Sequence, residues 1–235
     1  MKIKIVLVLA LAFALSGCDD NAVQINELPD KIIPTKPCET LYPRIKDLLP
    51  EYLHNDSIQS VLFADSVQKN IVLTRDTEVY LSFISGGAML KNTFGWYSYT
   101  SFEVPLNPNN VEWHILFPHA SNEILASGDR LQLGDQKFKK GTIIGFFLIA
   151  DGWQNGAINY DNTTMFSTSS WNVDQRQQHV LFIEKSCGDI VLSFEDVSVT
   201  NNGCDHDFND IIFTVADNNT NLENTSFEQS KMIKL

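Results

Sequence analysis

The sequence lacks the signatures that would assign a catalytic or nucleic-acid-binding function. It contains no G-x-S-x-G element, no H-E-x-x-H pair and no glycine-rich phosphate loop, so we expect that the chain is not an enzyme. Basic residues are scarce: 17 Lys and Arg stand against 29 Asp and Glu, and the formal net charge is −12. Nucleic-acid-binding proteins need a basic face, so nucleic acid is not an expected partner.

The apolar run near the start of the chain is too short to cross a membrane. Residues 5–15 carry no charge, but a transmembrane helix needs roughly 20 apolar residues. Lys2 and Lys4 precede the run, which is typical of a secretory signal peptide. Leu15-Ser16-Gly17-Cys18 then resembles the lipobox of bacterial lipoproteins. We therefore expect a signal peptide over residues 1–17 and lipidation of Cys18. An ordinary secretory signal followed by a chance cysteine is the alternative.

A lipidated Cys18 would place the mature protein outside the cytoplasm, anchored to a membrane of the bacterial cell envelope. One acyl chain anchors a protein only marginally, whereas two or more hold it stably. Asp19 and Asp20 follow the cysteine directly. They resemble an inner-membrane retention signal in some bacteria and a surface-export signal in others, so the choice of membrane stays open.

Cysteines are few, and their number is odd once Cys18 is set aside. Cys38, Cys187 and Cys204 remain, and no C-x-x-C pair supports a zinc or thioredoxin-like site. Disulfides persist outside the cytoplasm. Cys187 and Cys204 flank one predicted strand and its turn, so a disulfide between them is geometrically feasible. Cys38 either pairs elsewhere, remains free or displaces this pairing.

The pattern along the chain predicts an all-β fold of one domain. We expect a tether over residues 18–58 that includes a short helical or irregular leader, a domain over residues 59–216 and a flexible tail over residues 217–235. Short segments rich in β-branched and aromatic residues alternate with turn residues, which favours an antiparallel, jelly-roll-like β-sandwich. Residues 143–150 are apolar on both faces and predict a central strand. The predicted strands are 60–64, 78–85, 96–102, 111–117, 143–150, 179–184, 190–194 and 211–215.

An acidic cluster near the end of the domain is the most informative segment. If residues 205–209 are extended, Asp205, Asp207 and Asn209 project to one side and Phe208 points into the core. Glu195 or Asp196, across a turn, adds further oxygen atoms, and so does Asp210. Ca²⁺ takes about six to eight oxygen ligands, whereas unpaired carboxylates repel one another. The cluster therefore fits calcium, although an acidic turn without a metal explains the spacing equally well.

Four motifs in order add a resemblance to a known family. Residues 93–99 (TFGWYSY), 141–148 (GTIIGFFL), 194–196 (FED) and 205–210 (DHDFND) resemble a bacterial extracellular domain of unknown function with a D-x-D-F-N-D signature. That domain occurs in LruC-type lipoproteins and in large calcium-dependent repeat adhesins. The resemblance implies a β-rich, calcium-binding domain. It also implies that the ligands are drawn from Glu195, Asp196, Asp205, Asp207 and Asp210.

Three functions are compatible with the sequence. The first is a calcium-stabilised module that binds a peptide, glycan or protein ligand, as some related adhesin domains do. The second is an envelope structural lipoprotein whose calcium ion only stabilises the fold. The third is a glycoside hydrolase that uses two carboxyl groups, which no sequence motif supports.

Overall fold

The computed structural model describes residues 26–54, 56–87, 89–220 and 222–235. Over these ranges the chain forms a short first strand, two short α-helices and then a succession of strands. The helices are α1 (Leu41–Leu48) and α2 (Asp56–Leu62). The strands are β1 (Ile33–Pro34), β2 (Ile71–Val72), β3 (Tyr80–Gly86), β4 (Thr93–Thr100), β5 (His114–Phe117), β6 (Asp129–Gln132), β7 (Thr142–Ile149), β8 (Trp153–Gln154), β9 (Ala157–Ile158), β10 (Thr164–Phe166), β11 (His179–Ile183), β12 (Ile190–Phe194), β13 (Ile211–Ala216) and β14 (Ile233–Lys234).

Two sheets form the body of the domain, and the predicted antiparallel β-sandwich is confirmed. The larger sheet has the order β1-β6-β3-β13-β12-β11-β14. The smaller has the order β10-β7-β4-β5, with β2 also paired to β7, and β8 and β9 form a separate ribbon. All these pairings are antiparallel except that of β11 with β14. The predicted central strand is also confirmed, because β7 has neighbours on both sides.

Both faces of the larger sheet are buried, so its strands alternate between two apolar cores. Phe83, Leu192 and Phe213 face the smaller sheet and pack in the main core. Their neighbours in sequence point to the opposite face, as the two-residue period of a strand requires. There Ile84 and Val191 pack with apolar residues of α1 and α2. The two helices are thus a third layer on the outer face of the sandwich.

The structure corrects one predicted strand near the N-terminal end of the domain. Residues 60–64 were expected to be extended, but 60–62 belong to α2. Gln59 and Leu62 are buried against the sheet. Their spacing of three residues is helical, and so short a segment shows too little periodicity to separate a helix from a strand.

The leader and the tail are also more ordered than the sequence predicts. Strand β1 pairs with β6, and α1 packs on the outer face of the larger sheet. The expected flexible tail returns to the sandwich, where Phe227 and Met232 are buried and β14 pairs with β11. Isolated apolar side chains in these polar segments provide the contacts. Residues on both sides of the predicted boundaries at 59 and 216 therefore pack on the sandwich.

The disulfide differs from the predicted one. Cys187 is bonded to Cys38, and Cys204 is a free, buried cysteine, so the expected Cys187–Cys204 pairing is wrong. Cys38 lies just before α1, which packs over the sheet and brings Cys38 to the β11–β12 turn. Cys204 instead donates a hydrogen bond to Glu195.

No helix within the described ranges is long and apolar enough to cross a membrane. The predicted signal peptide over residues 1–17, Cys18 and the first residues of the tether lie outside the described residues.

Replacing Gly145 with alanine should destabilise the fold. A Cβ atom at Gly145, in β7, would overlap the Cζ atom of the Tyr97 ring. The Tyr97 ring is fully buried, and its hydroxyl is hydrogen-bonded to Thr168 Oγ1 at 2.8 Å, so the ring has little room to move. Overpacking of this kind costs about 1–3 kcal/mol. Urea denaturation of Gly145→Ala should show this loss.

Gly87→Ala is the matched control, because Gly87 is exposed and a Cβ atom there meets no other atom within 4 Å. Equal stability of the two variants would contradict the packing described for Tyr97.

Candidate metal centre

The acidic residues meet because β12 and β13 are neighbours in the larger sheet. Phe194, the last residue of β12, is paired with Ile211, the first residue of β13. Glu195 and Asp196 therefore leave the sheet at the point where the loop from residue 197 to residue 210 returns to it. The Asp196 N–H donates to Asp210 Oδ2 over 2.8 Å. Pairing of the strands thus brings together carboxyl groups that are fourteen residues apart in sequence.

Glu195 is the most deeply buried of these acidic residues. Its side chain is fully buried, and each oxygen accepts a hydrogen bond from the loop. Oε1 accepts from the Phe208 N–H at 2.6 Å, and Oε2 accepts from the Cys204 thiol at 3.1 Å. Glu195 therefore holds both ends of the segment that carries Asp205 and Asp207.

The backbone of that segment is not extended, which corrects the geometry expected from the sequence. His206 and Phe208 have φ values of 59° and 57°, in the left-handed region that residues other than glycine rarely adopt. Side chains consequently do not alternate as they do on a strand. Phe208 does point into the core, as predicted, and is 1% exposed. The side-chain amide of Asn209, which was expected to face the cluster, donates to the Leu49 carbonyl at 3.0 Å.

Asp207 connects the acidic loop to the N-terminal layer. It is buried; its Oδ2 accepts from the Tyr52 N–H at 2.9 Å, and its Oδ1 accepts from the Asn209 N–H at 3.1 Å. Tyr52 lies in the segment that joins α1 to α2. The N-terminal layer therefore supplies part of the site, which no spacing in the sequence indicates.

Asp205 is shared by two groups of side chains whose ligand atoms lie within 4.8 Å of one another. One group combines it with Glu195 and Cys204, and the other combines it with Glu51 and Asp207. Glu51 and Cys204 were not among the predicted ligands. Glu51 is exposed and follows Pro50 after the end of α1, more than 140 residues before the acidic run, so no local motif marks it.

Asp196 and Asp210 form a separate pair beside these two groups. Asp196 is buried, and its Oδ2 accepts from the Asn92 side-chain amide at 2.9 Å. The structure therefore brings three of the five predicted ligands, Glu195, Asp205 and Asp207, into the two close groups. It places Asp196 and Asp210 next to each other at the edge of the same cluster.

The cluster raises the pKa of its own carboxyl groups. Burial raises the pKa of Glu195 to about 7 and that of Asp207 to about 6, and the negative charge of Asp205 adds to both effects. Burial also raises the pKa values of the neighbouring residues Asp196 and Asp210. For Asp210 the second cause is repulsion by the negative charge of Asp196. The folded protein therefore holds these groups at a cost when they are ionised.

No positive side chain compensates that cost within the described ranges. None of the ion pairs formed there involves Glu195, Asp196, Asp205, Asp207 or Asp210. The carboxyl groups instead accept hydrogen bonds from backbone N–H groups, from the Asn92 amide and from the Cys204 thiol. The cluster is thus rich in carboxyl oxygen atoms and has one thiol beside them.

In the absence of a divalent cation, stability should fall between pH 6.5 and pH 7.5. The folded pKa of Glu195, about 7, is above its unfolded value of about 4, so the folded state binds more protons in this range. The free energy of unfolding must then decrease as the pH rises. Urea denaturation at both pH values, with EDTA present, measures this slope.

Glu195→Gln should make that slope less steep, because glutamine does not titrate, whereas Asp207 and Asp210, whose pKa values are also raised, keep part of it. Buried His179, whose pKa is lowered to about 4 by burial, contributes a smaller trend of opposite sign to both proteins and cancels in the comparison. A wild-type slope no steeper than that of the variant would contradict the raised pKa of Glu195.

The cluster lies in a segment that is similar to a known domain family. Residues 138–218, about a third of the chain, match the model of the family described as Domain of unknown function (DUF4114). No curated protein and no solved structure gives a significant match. The matched span runs from just before β7 to just after β13, and so includes all five predicted ligands but not Glu51. Over this span the chain is similar to a domain family whose function is unknown.

Proposed function

We propose that the chain is a membrane-anchored, extracytoplasmic β-domain that binds calcium and acts as a ligand-binding or adhesion module. The observation that carries the proposal is the burial of Glu195, Asp196 and Asp207 without a basic partner among the described residues. Ionised carboxyl groups are rarely buried unless they are paired or coordinate a metal. A divalent cation would supply the missing positive charge.

The donor chemistry favours calcium over zinc. Oxygen atoms dominate the cluster, and Ca²⁺ accepts six to eight of them in a flexible geometry, with water or backbone carbonyls completing the shell. Zinc sites rely on thiolates and imidazoles. The two close groups contain one thiol, that of Cys204, and no imidazole.

Two features support the extracytoplasmic location. The Cys38–Cys187 disulfide is typical of an oxidising compartment. The signal-like residues 1–17 and the lipobox-like Leu15-Ser16-Gly17-Cys18 support the finer proposal of a lipoprotein, as does the resemblance to LruC-type lipoproteins.

A second candidate function is a structural lipoprotein of the envelope. The contacts of Tyr52 with Asp207 and of Leu49 with Asn209 favour it, because a cation in this cluster would also hold the N-terminal layer on the sheet. Under this function calcium stabilises the fold and no ligand is captured.

Calcium should raise the melting temperature of the full chain. A ligand that binds only the folded state stabilises it by about 2.7 kcal/mol at a concentration 100 times its Kd. Thermal melting with calcium and with EDTA measures the effect. Asp205→Ala combined with Asp207→Ala should abolish the shift, because these residues belong to the two close groups.

Asp30→Ala combined with Asp161→Ala is the matched control, since both residues are exposed and remote from the cluster in sequence. An equal melting temperature with calcium and with EDTA would refute calcium binding. Peptide and glycan arrays then separate the two functions: a module loses calcium-dependent capture in the Asp205 and Asp207 variant, whereas a structural lipoprotein shows no capture in either protein.

Cys18→Ser should move the protein from the membrane fraction to the soluble fraction of bacterial cells. Serine cannot accept the thioether-linked lipid that the proposed anchor requires. Detergent partitioning followed by immunoblotting measures the distribution, and Cys204→Ser controls for the loss of a thiol. A wild-type protein that is already soluble would exclude the anchor.

A further inference from the structure

A groove of about 820 Å³ lies beside the acidic cluster, on its side nearest α2. One wall is formed by α2 and the residues around it, and the other by residues 175–177. His206 and Phe208 of the acidic loop also line it, but none of the five proposed calcium ligands does. The groove is thus a neighbour of the cation cluster and is lined by different side chains.

The floor of the groove is apolar. Phe63 and Phe208 meet edge to face, with ring centroids 5.0 Å apart, and Val199 lies beside them. Phe208 is buried, whereas Phe63 is only partly buried and so presents apolar surface to the groove. An apolar side chain of a ligand would gain by covering this surface.

A buried amide oxygen in the wall lacks a partner. Gln59 lines the groove and is 3% exposed, and its Oε1 accepts no hydrogen bond. Its Nε2 donates to the His206 carbonyl, which fixes the orientation of the amide. A buried acceptor without a donor is unfavourable. A ligand N–H group directed at Oε1 would remove this penalty.

The groove also contains cationic groups, in a chain of net charge −12. Lys69 is half-buried, and its Nζ donates to the Leu62 carbonyl. Arg176 is exposed and forms no ion pair with any residue in the described ranges. The two carboxylates at the groove have partners: Asp56 Oδ1 lies 3.0 Å from His54 Nδ1, and Asp65 lies close to Lys69. Arg176 is therefore the cation best placed to receive an anionic group.

We propose that this groove binds a short peptide-like ligand that combines an amide N–H, an apolar side chain and a carboxylate. The N–H group is directed to Gln59 Oε1, the apolar side chain covers Phe63, and the carboxylate lies beside Arg176. The inference deepens the ligand-binding part of the proposed function and rests on it, but it does not require the cation.

N-acetylphenylalanine carries all three groups and is the test probe. N-acetylphenylalaninamide lacks the carboxylate, and 3-phenylpropionate lacks the N–H. Saturation-transfer NMR with the full chain should show binding of N-acetylphenylalanine, and each of the other compounds should bind about 3- to 10-fold more weakly, as expected for one lost polar contact. Equal binding of all three compounds, or binding of none, would overturn the proposal.

Two variants locate the binding. Arg176→Ala should remove the preference for the acid over the amide, whereas Arg75→Ala, an equally exposed arginine outside the groove, should retain it. Ser60→Trp, at an exposed position of α2 that lines the groove, should block the probe. Unchanged binding to Ser60→Trp, with an unchanged circular dichroism spectrum, would overturn the proposal.

Each titration is run with calcium and with EDTA. Binding of the probe in both conditions, with no calcium shift in the melting temperature, would support the groove and refute the cation. A higher melting temperature with calcium, without binding of the probe in either condition, would support the cation and refute the groove.

Discussion

The hydrogen-bonded pairing of β12 with β13 is the contact on which the core and the acidic cluster both depend. Phe194 pairs with Ile211 at the end of this ladder, and the Phe194 ring enters the main core beside Phe94. Beyond this pair the chain turns out of the sheet through Glu195 and comes back through Asp210. Ser193 strengthens the junction, because its hydroxyl contacts the carbonyls of both Phe208 and Ile211.

At this junction the close packing of apolar side chains disfavours ionisation of the acidic residues. Apolar side chains on both sides of the junction exclude water. Because water is excluded, the ionised forms of Glu195 and Asp207 are disfavoured and their pKa values are raised. Backbone N–H groups of the left-handed loop provide partial compensation, since they point at the carboxyl oxygens. A non-glycine backbone in this conformation costs energy, and such costs are typical of binding sites. The proposed cation would balance the remaining charge.

The N-terminal layer links the site to the proposed membrane anchor. The Cys38–Cys187 disulfide fastens the chain just before α1, and the segment after α1 reaches Asp207 through Tyr52. The same layer continues into α2, where Gln59 contacts the His206 carbonyl and forms a wall of the groove. The layer formed by α1, α2 and the residues near them therefore contributes to the cluster and to the groove.

The sequence by itself determined those features that depend on residues close together along the chain. Short segments rich in β-branched and aromatic residues, separated by turn residues, predicted the β-sandwich and the bounds of β12. The apolar character of both faces of residues 143–150 predicted the central position of β7. The run of acidic residues likewise marked the segment in which the cluster is found. It did not reveal the left-handed backbone at His206 and Phe208, because no glycine marks those positions.

Features that depend on distant residues were decided only by the tertiary structure. The sequence did not reveal the Cys38–Cys187 pairing, the return of Phe227 to the core or the approach of Glu51 to Asp205. Each joins segments far apart along the chain, and nothing in the local pattern records such a contact. Burial of Glu195 belongs to the same class: its carboxyl group is held by the Phe208 N–H and the Cys204 thiol of the loop that returns to β13, and its burial raises its pKa.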